Sequence, residues 1–76
     1  MTLDKILLNE QVLICSIHGD SFMRRRLLDL GFIPGMFVEC VLVSPFRDPR
    51  AYQVAGNVIA LRNIDAKNVE VSYENN

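Results

Sequence analysis

The stretch Ala51-Tyr52-Gln53-Val54-Ala55-Gly56-Asn57-Val58-Ile59-Ala60-Leu61-Arg62 decides the fold. Residues 51–55 and 58–62 are apolar and β-prone. Gly56-Asn57 between them supplies the two-residue connection favoured by the primed turns of tight hairpins. Upstream, residues 36–43 read as another strand, with Glu39 on the wet face and Val38, Cys40 and Leu42 on the dry one. Pro45 ends that strand. Residues 44–50 contain Pro45, Arg47, Asp48, Pro49 and Arg50, a composition that cannot run as a regular ladder and predicts an exposed loop. Downstream, Asn63 caps a brief turn over 63–67. Residues 68–73 then alternate Val69, Val71 and Tyr73 against Glu70 and Ser72, the pattern of a half-buried strand.

Towards the N-terminus, the β-branched and apolar run 11–17 predicts a further strand, ended by Gly19-Asp20. The period then changes. Asp20 or Ser21 caps a helix over 21–30 in which Met23, Leu27 and Leu30 follow i, i+4, i+7 spacing, with Leu28 widening the stripe. Gly31 supplies the left-handed residue that stops this helix, and Pro34 prevents a restart. Residues 2–9 form a lead-in with one helical turn, capped by Thr2 and carrying Leu3, Ile6 and Leu7 on one face. Five short strands with a single helix after the first predict a mainly all-β domain spanning 1–76. Closure into a small barrel would remove the vulnerable edges.

Half of the 76 residues are hydrophobic and the mean hydropathy is +0.18, which predicts one folded core. The longest apolar runs are four residues, whereas a membrane-spanning helix needs about 20. The start of the chain lacks a basic, then apolar, secretion signal, so the expected location is the cytoplasm. A net charge of −1 opposes general affinity for nucleic acid, but the charges are not evenly spread. Residues 1–20 and 63–76 each carry −2, while 21–62 carry +3 and hold all six arginines. The consecutive Arg24, Arg25 and Arg26 read either as a solvated helix face or as a docking patch. Phe46, between rigid and charged neighbours, likewise leaves two readings. With Arg47 and Arg50 it has the composition of an interface anchor; alternatively it folds back to cap the open end of the barrel.

Cys15 and Cys40 both lie in apolar stretches and read as small buried hydrophobes. Cys15 and His18, the only histidine, are three apart, a spacing that sends their side chains to opposite faces of a strand unless a bulge intervenes. The ligand count therefore predicts no metal site and no cofactor. Lys5 and Lys67 follow no glycine-rich turn, and Ser16, Ser21, Ser44 and Ser72 lack a nucleophile elbow, so no enzyme is expected. The six aromatics are scattered, which opposes a groove for polyproline peptides.

Three separated motifs carry a resemblance: Arg26-Leu27-Leu28-Asp29-Leu30-Gly31-Phe32-Ile33-Pro34-Gly35, Ser44-Pro45-Phe46-Arg47-Asp48-Pro49 and Ile59-Ala60-Leu61-Arg62. In this order they resemble the FeoA family, over nearly the whole chain. The resemblance implies an SH3-like five-stranded barrel with a helix after the first strand. It also implies a non-enzymatic cytosolic accessory protein of bacterial ferrous-iron uptake. Such a protein would bind the cytosolic part of a FeoB-type membrane GTPase transporter and meet the membrane only through that partner; homo-oligomerisation stays open. The alternative is a stand-alone regulatory or metal-sensing module, like the C-terminal domain of metal-dependent repressors. Most motif residues read as architecture: Gly31 and Gly35 as turns, Leu27, Leu30, Ile59 and Leu61 as core, and Arg62 as the holder of a carboxylate near the last strand. The chain departs from the family pattern at Arg47, where a glycine is usual and a positive φ would strain an arginine.

Overall fold

The computed structural model describes residues 1–73. A 3₁₀ turn at Leu3–Lys5 precedes β1 (Gln11–Ile17), α1 (Ser21–Leu30), β2 (Phe37–Val43), β3 (Arg50–Val54), β4 (Asn57–Leu61), α2 (Asn63–Ala66) and β5 (Val69–Ser72). The strands form one antiparallel sheet in the order β4-β3-β2-β1-β5. The sheet does not close, because β4 and β5 are its two edges and do not pair. In place of a closing ladder, the N-terminal segment lies along β5. The Val71 amide donates to the Met1 carbonyl at 2.8 Å, and Thr2 bridges Glu70. Leu3 and Ile6 of this segment are fully buried, worth about 1.5–3 kcal/mol each, whereas Leu7 points outward. A strand edge is thus covered by irregular chain, one of the ways in which sheets blunt an edge.

The helix begins and ends as its sequence requires. The Asp20 carboxylate accepts from the Met23 amide at 2.8 Å, and Gly31 takes the left-handed C-cap with φ 110°. A Cβ on Gly31 would also lie 3.2 Å from that of Ala55, so both backbone and space call for glycine. Only Leu27 is fully buried on α1; Met23 and Leu30 pack against the core, and Leu28 is exposed.

The hairpin turn lies one residue earlier than its sequence predicts. Ala55 and Gly56 are its central residues, with φ 52° and 81°, and Val54 pairs Asn57. Asn57 instead opens β4, and its side-chain amide donates to the Ala55 carbonyl at 3.4 Å. Two bulges change which side chains face the core. Between Cys40 and Leu42 the β2–β3 register slips by one, so the alternation inverts. Leu42, predicted inside, is 64 % exposed. The slip between Ile14 and Ser16 leaves Cys15 unpaired with β5. Cys15 is therefore exposed rather than buried, while Cys40 is buried as expected. A bulge always adds a residue to one strand and re-aims its neighbours.

Tyr52 sits at the centre of the core, edge-on to Phe32 with centroids 6.4 Å apart. Its hydroxyl is buried and has no hydrogen-bond partner among the described residues. Burial pushes the phenol up to about 12, with the nearby Arg50 charge pulling the other way. An unfolded tyrosine loses its proton near pH 10. Between there and about 12 the folded state holds a proton that the unfolded state has lost, so stability is full below pH 10 and falls as pH rises through this window. Tyr52→Phe removes that dependence and an unpaired polar group together. Urea unfolding of the variant is expected to show a flatter alkaline limb and a midpoint at pH 7 no lower than that of the parent. A clear loss at pH 7 would mean that the hydroxyl is satisfied.

Candidate partner-docking surface

The loop 44–49 holds Phe46 away from the core. The Arg47 amide donates to the Ser44 carbonyl at 2.8 Å, making a tight turn, and the Ser44 amide donates to the Pro49 carbonyl at 3.3 Å. The Asp48–Pro49 peptide is cis, and Arg47 has φ 66°. Asn63, at the start of α2, fastens the loop from outside: its amide donates to the Asp48 carboxylate at 3.0 Å and its side chain to the Arg47 carbonyl at 2.9 Å. Phe46 is 92 % exposed on this scaffold. Folding back to cap the barrel end is therefore not its conformation, whereas solvent-facing presentation is. Asn63 does not cap α2 with its side chain, as the sequence predicts; that group is spent on the loop.

Arg50 is not part of the exposed loop. It is the first residue of β3, and only 7 % of it is exposed. Its guanidinium donates through Nη1 to the Asp4 carbonyl at 2.8 Å and through Nη2 to the Ile6 carbonyl. It also lies over the Tyr52 ring, 5.8 Å from the centroid. The inward register that pairs Arg50 with Val43 and Leu61 accounts for this. In that position it clamps the N-terminal segment and is not presented on the exposed loop with Phe46 and Arg47.

The three consecutive arginines divide their roles. Arg24, Arg25 and Arg26 are all exposed. Arg25 pairs Asp29 at 3.8 Å one turn on, an exposed contact of little energetic weight. Arg26 reaches Asp65 of α2 at 3.5 Å. Arg62, expected from sequence to hold a carboxylate near the last strand, is exposed with no ion pair among the described residues. Asn63 holds the loop and Asp65 holds α1, so the four residues of α2 join the two projecting elements. Between those anchors Ile64 is 67 % exposed. On α1, Phe22 is 77 % exposed and lines a shallow hollow of about 310 Å³ with Arg25, Arg26 and Asp29. Sequence reasoning missed both apolar residues. For Phe22 the signal was present: it stands four residues before Arg26 and seven before Asp29, on the charged stripe opposite Leu27. For Ile64, in a turn of four residues, no periodicity exists to read.

Among the described residues no group of three or more His, Cys, Asp and Glu side chains stands together. His18 Nε2 lies 3.0 Å from Ser16 Oγ, and the Cys15 thiol lies against Ser72 Oγ at 3.3 Å.

A short antiparallel sheet with one helix after β1, with exposed Phe22 and Phe46 among arginines, defines a small SH3-like domain. The chain belongs to the FeoA family: the FeoA domain model matches residues 1–73. Over 71 residues it is 32% identical to the Fe(2+) transport protein A/Fe(2+) transporter FeoB fusion protein of Porphyromonas gingivalis, covering 93% of this chain and 8% of the fusion. The solution structure of iron(II) transport protein A from Clostridium thermocellum superposes with a TM-score of 0.91 at 27% identity, over 96% of this chain and 45% of that one. The zinc complex of Stenotrophomonas maltophilia FeoA, described as a prokaryotic SH3 domain protein, matches with a TM-score of 0.83 at 34% identity, over 95% and 89% of the two chains. The chain therefore spans less than half the length of the first two relatives.

Arg47 offers a direct check on the loop. Its left-handed φ costs a non-glycine residue about 1–2 kcal/mol, against about 0.5–1 kcal/mol of unfolded-state freedom that a glycine adds. Arg47→Gly is therefore expected to hold or slightly raise the melting temperature. Arg47→Val, whose branched Cβ tolerates this φ least, is expected to lower it. Equal melting of the two variants would contradict the loop geometry.

Proposed function

We propose that this chain is a non-enzymatic cytosolic accessory of ferrous-iron transport that docks on the cytosolic part of a FeoB-type transporter. The observation that carries the reading is the Porphyromonas gingivalis fusion, in which a segment matching 93% of this chain shares one polypeptide with a FeoB transporter. Covalent joining fixes a high effective concentration, an arrangement that is useful when the two parts act side by side. The family model agrees, and no helix among the described residues is long and apolar enough to cross a membrane.

The docking surface proposed for this partner is the Phe46–Arg47 loop together with the α1 face of Phe22, Arg24, Arg25 and Arg26, with Ile64 between them. Aromatic and arginine side chains dominate binding energy once a partner desolvates them. Arg50, 7 % exposed beneath the N-terminal segment, lies outside this loop-and-helix surface.

Phe46→Ala and Arg47→Glu separate binding from folding, because both side chains are exposed. Pulldown of a FeoB-type cytosolic domain is expected to weaken by about tenfold or more, a loss of about 1.4 kcal/mol. The melting temperature of Phe46→Ala should barely change. Unchanged binding by both variants would remove the loop from the interface and leave the α1 face for the same test with Phe22→Ala. Failure of the unmodified protein to bind any such domain would overturn the partner itself.

A further inference from the structure

Among the described residues Arg50 is a buried cation with no carboxylate partner. Three of its five N–H donors go to the Asp4 carbonyl, the Ile6 carbonyl and, at 3.4 Å, Cys40 Sγ. Among the described residues no carboxylate oxygen lies within 4.0 Å of it. Removing a charge from water is costly, and neutral carbonyls repay only part of that cost. The guanidinium is also not sealed in, for it lines an open cleft of about 500 Å³ between the N-terminal segment, the end of β2 and the start of α2.

The rest of the cleft shows the same imbalance. Lys5 and Arg47 stand on its walls. The only acid lining it is Asp4, which lies 3.8 Å from Lys5 and already accepts from the Thr2 hydroxyl. Arg47 has no ion pair among the described residues. Asn63 lines the cleft as well, and its Oδ1 is buried with no hydrogen-bond partner among the described residues. Ser44 Oγ, next to the lining residue Val43, is buried and unpartnered in the same way. Exposed Leu7 and Leu8 form an apolar lip.

We propose that this cleft receives an acidic side chain from an extended, apolar-flanked peptide segment of a partner protein. The carboxylate meets Lys5, Arg47 and the two uncommitted donors of Arg50, for which charge-assisted and forked bonds are strong. Leu7 and Leu8 take the apolar neighbour of the acid. The apolar lip favours a peptide over free phosphate, which brings no apolar group to cover Leu7 and Leu8. The inference deepens the transporter reading and rests on it for the partner, but the cleft can be tested without the transporter.

The test is an NMR titration of the labelled protein with acetyl-Ala-Leu-Glu-Leu-Ala-amide, its glutamine counterpart and inorganic phosphate. The glutamate peptide is expected to give saturable shifts at the Leu7 and Leu8 amides, the Asn63 side-chain amide and Arg50 Nε. The glutamine peptide should bind about tenfold or more weakly, a loss of about 1.4 kcal/mol. Lys5→Gln and Arg47→Gln, which leave the Arg50 clamp intact, should each weaken the glutamate peptide severalfold without changing the melting temperature. Equal binding of the two peptides, shifts confined to α1, or shifts in the cleft from phosphate but not peptide would each overturn the proposal. Peptide binding without transporter binding would retain the cleft and remove the transporter; the reverse would do the opposite.

Discussion

The clamp of Arg50 on the N-terminal segment is the constraint on which the rest of the structure depends. The five strands leave a gap between β5 and β4, and Leu3 and Ile6 fill the core only if residues 1–6 stay in place. Arg50 reaches across from β3 to hold the Asp4 and Ile6 carbonyls. The Asn9 amide donates to the Cys40 carbonyl at 2.7 Å and fixes the far end of the same segment. Burying a guanidinium this way is an expensive means of holding a segment, and a hydrophobic residue of similar size is often as stable in such a place. What the charge adds is position: it fixes the path of the backbone carbonyls, and it leaves a cationic wall facing the cleft.

Outside the clamp, the surface is organised by α2. Four residues join the Phe46 loop to α1 through Asn63 and Asp65, so two elements far apart in sequence present their side chains from one rigid support. Holding the aromatics in this way reduces the ordering cost that binding must meet. The loop conformation that achieves it puts Arg47 at positive φ, a local strain retained where the surrounding bonds determine the geometry. In this reading, folding and docking draw on neighbouring arginines for different ends: Arg50 inside, Arg47 and Arg26 outside.

Much of this was legible in the sequence. The helix boundaries follow from Asp20 and Gly31 and the strands from their alternation, whereas Phe46 kept two readings until the loop geometry placed it in solvent. What stayed hidden depends on register. Leu42 reads as core until the bulge at Val41 inverts the alternation, and Cys15 reads as buried until a second bulge removes it from the ladder. Arg50 reads as loop because Pro49 precedes it, yet pairing with Leu61 of β4 turns it inward. Closure failed as an expectation because the pattern of five strands carries no trace of a sixth, irregular segment that competes for the edge of β5. Long-range pairing of this kind is encoded in no local window.

Amide hydrogen exchange of an Arg50→Gln variant tests the central claim most directly. Loss of the clamp should speed exchange at Ile6, Asn9 and Val71 by about tenfold or more, a local opening that costs about 1.4 kcal/mol less than in the parent. The hairpin amides of Tyr52 and Ile59 should change far less. Unchanged protection at Ile6, Asn9 and Val71 would contradict the account, as would uniform acceleration across the sheet.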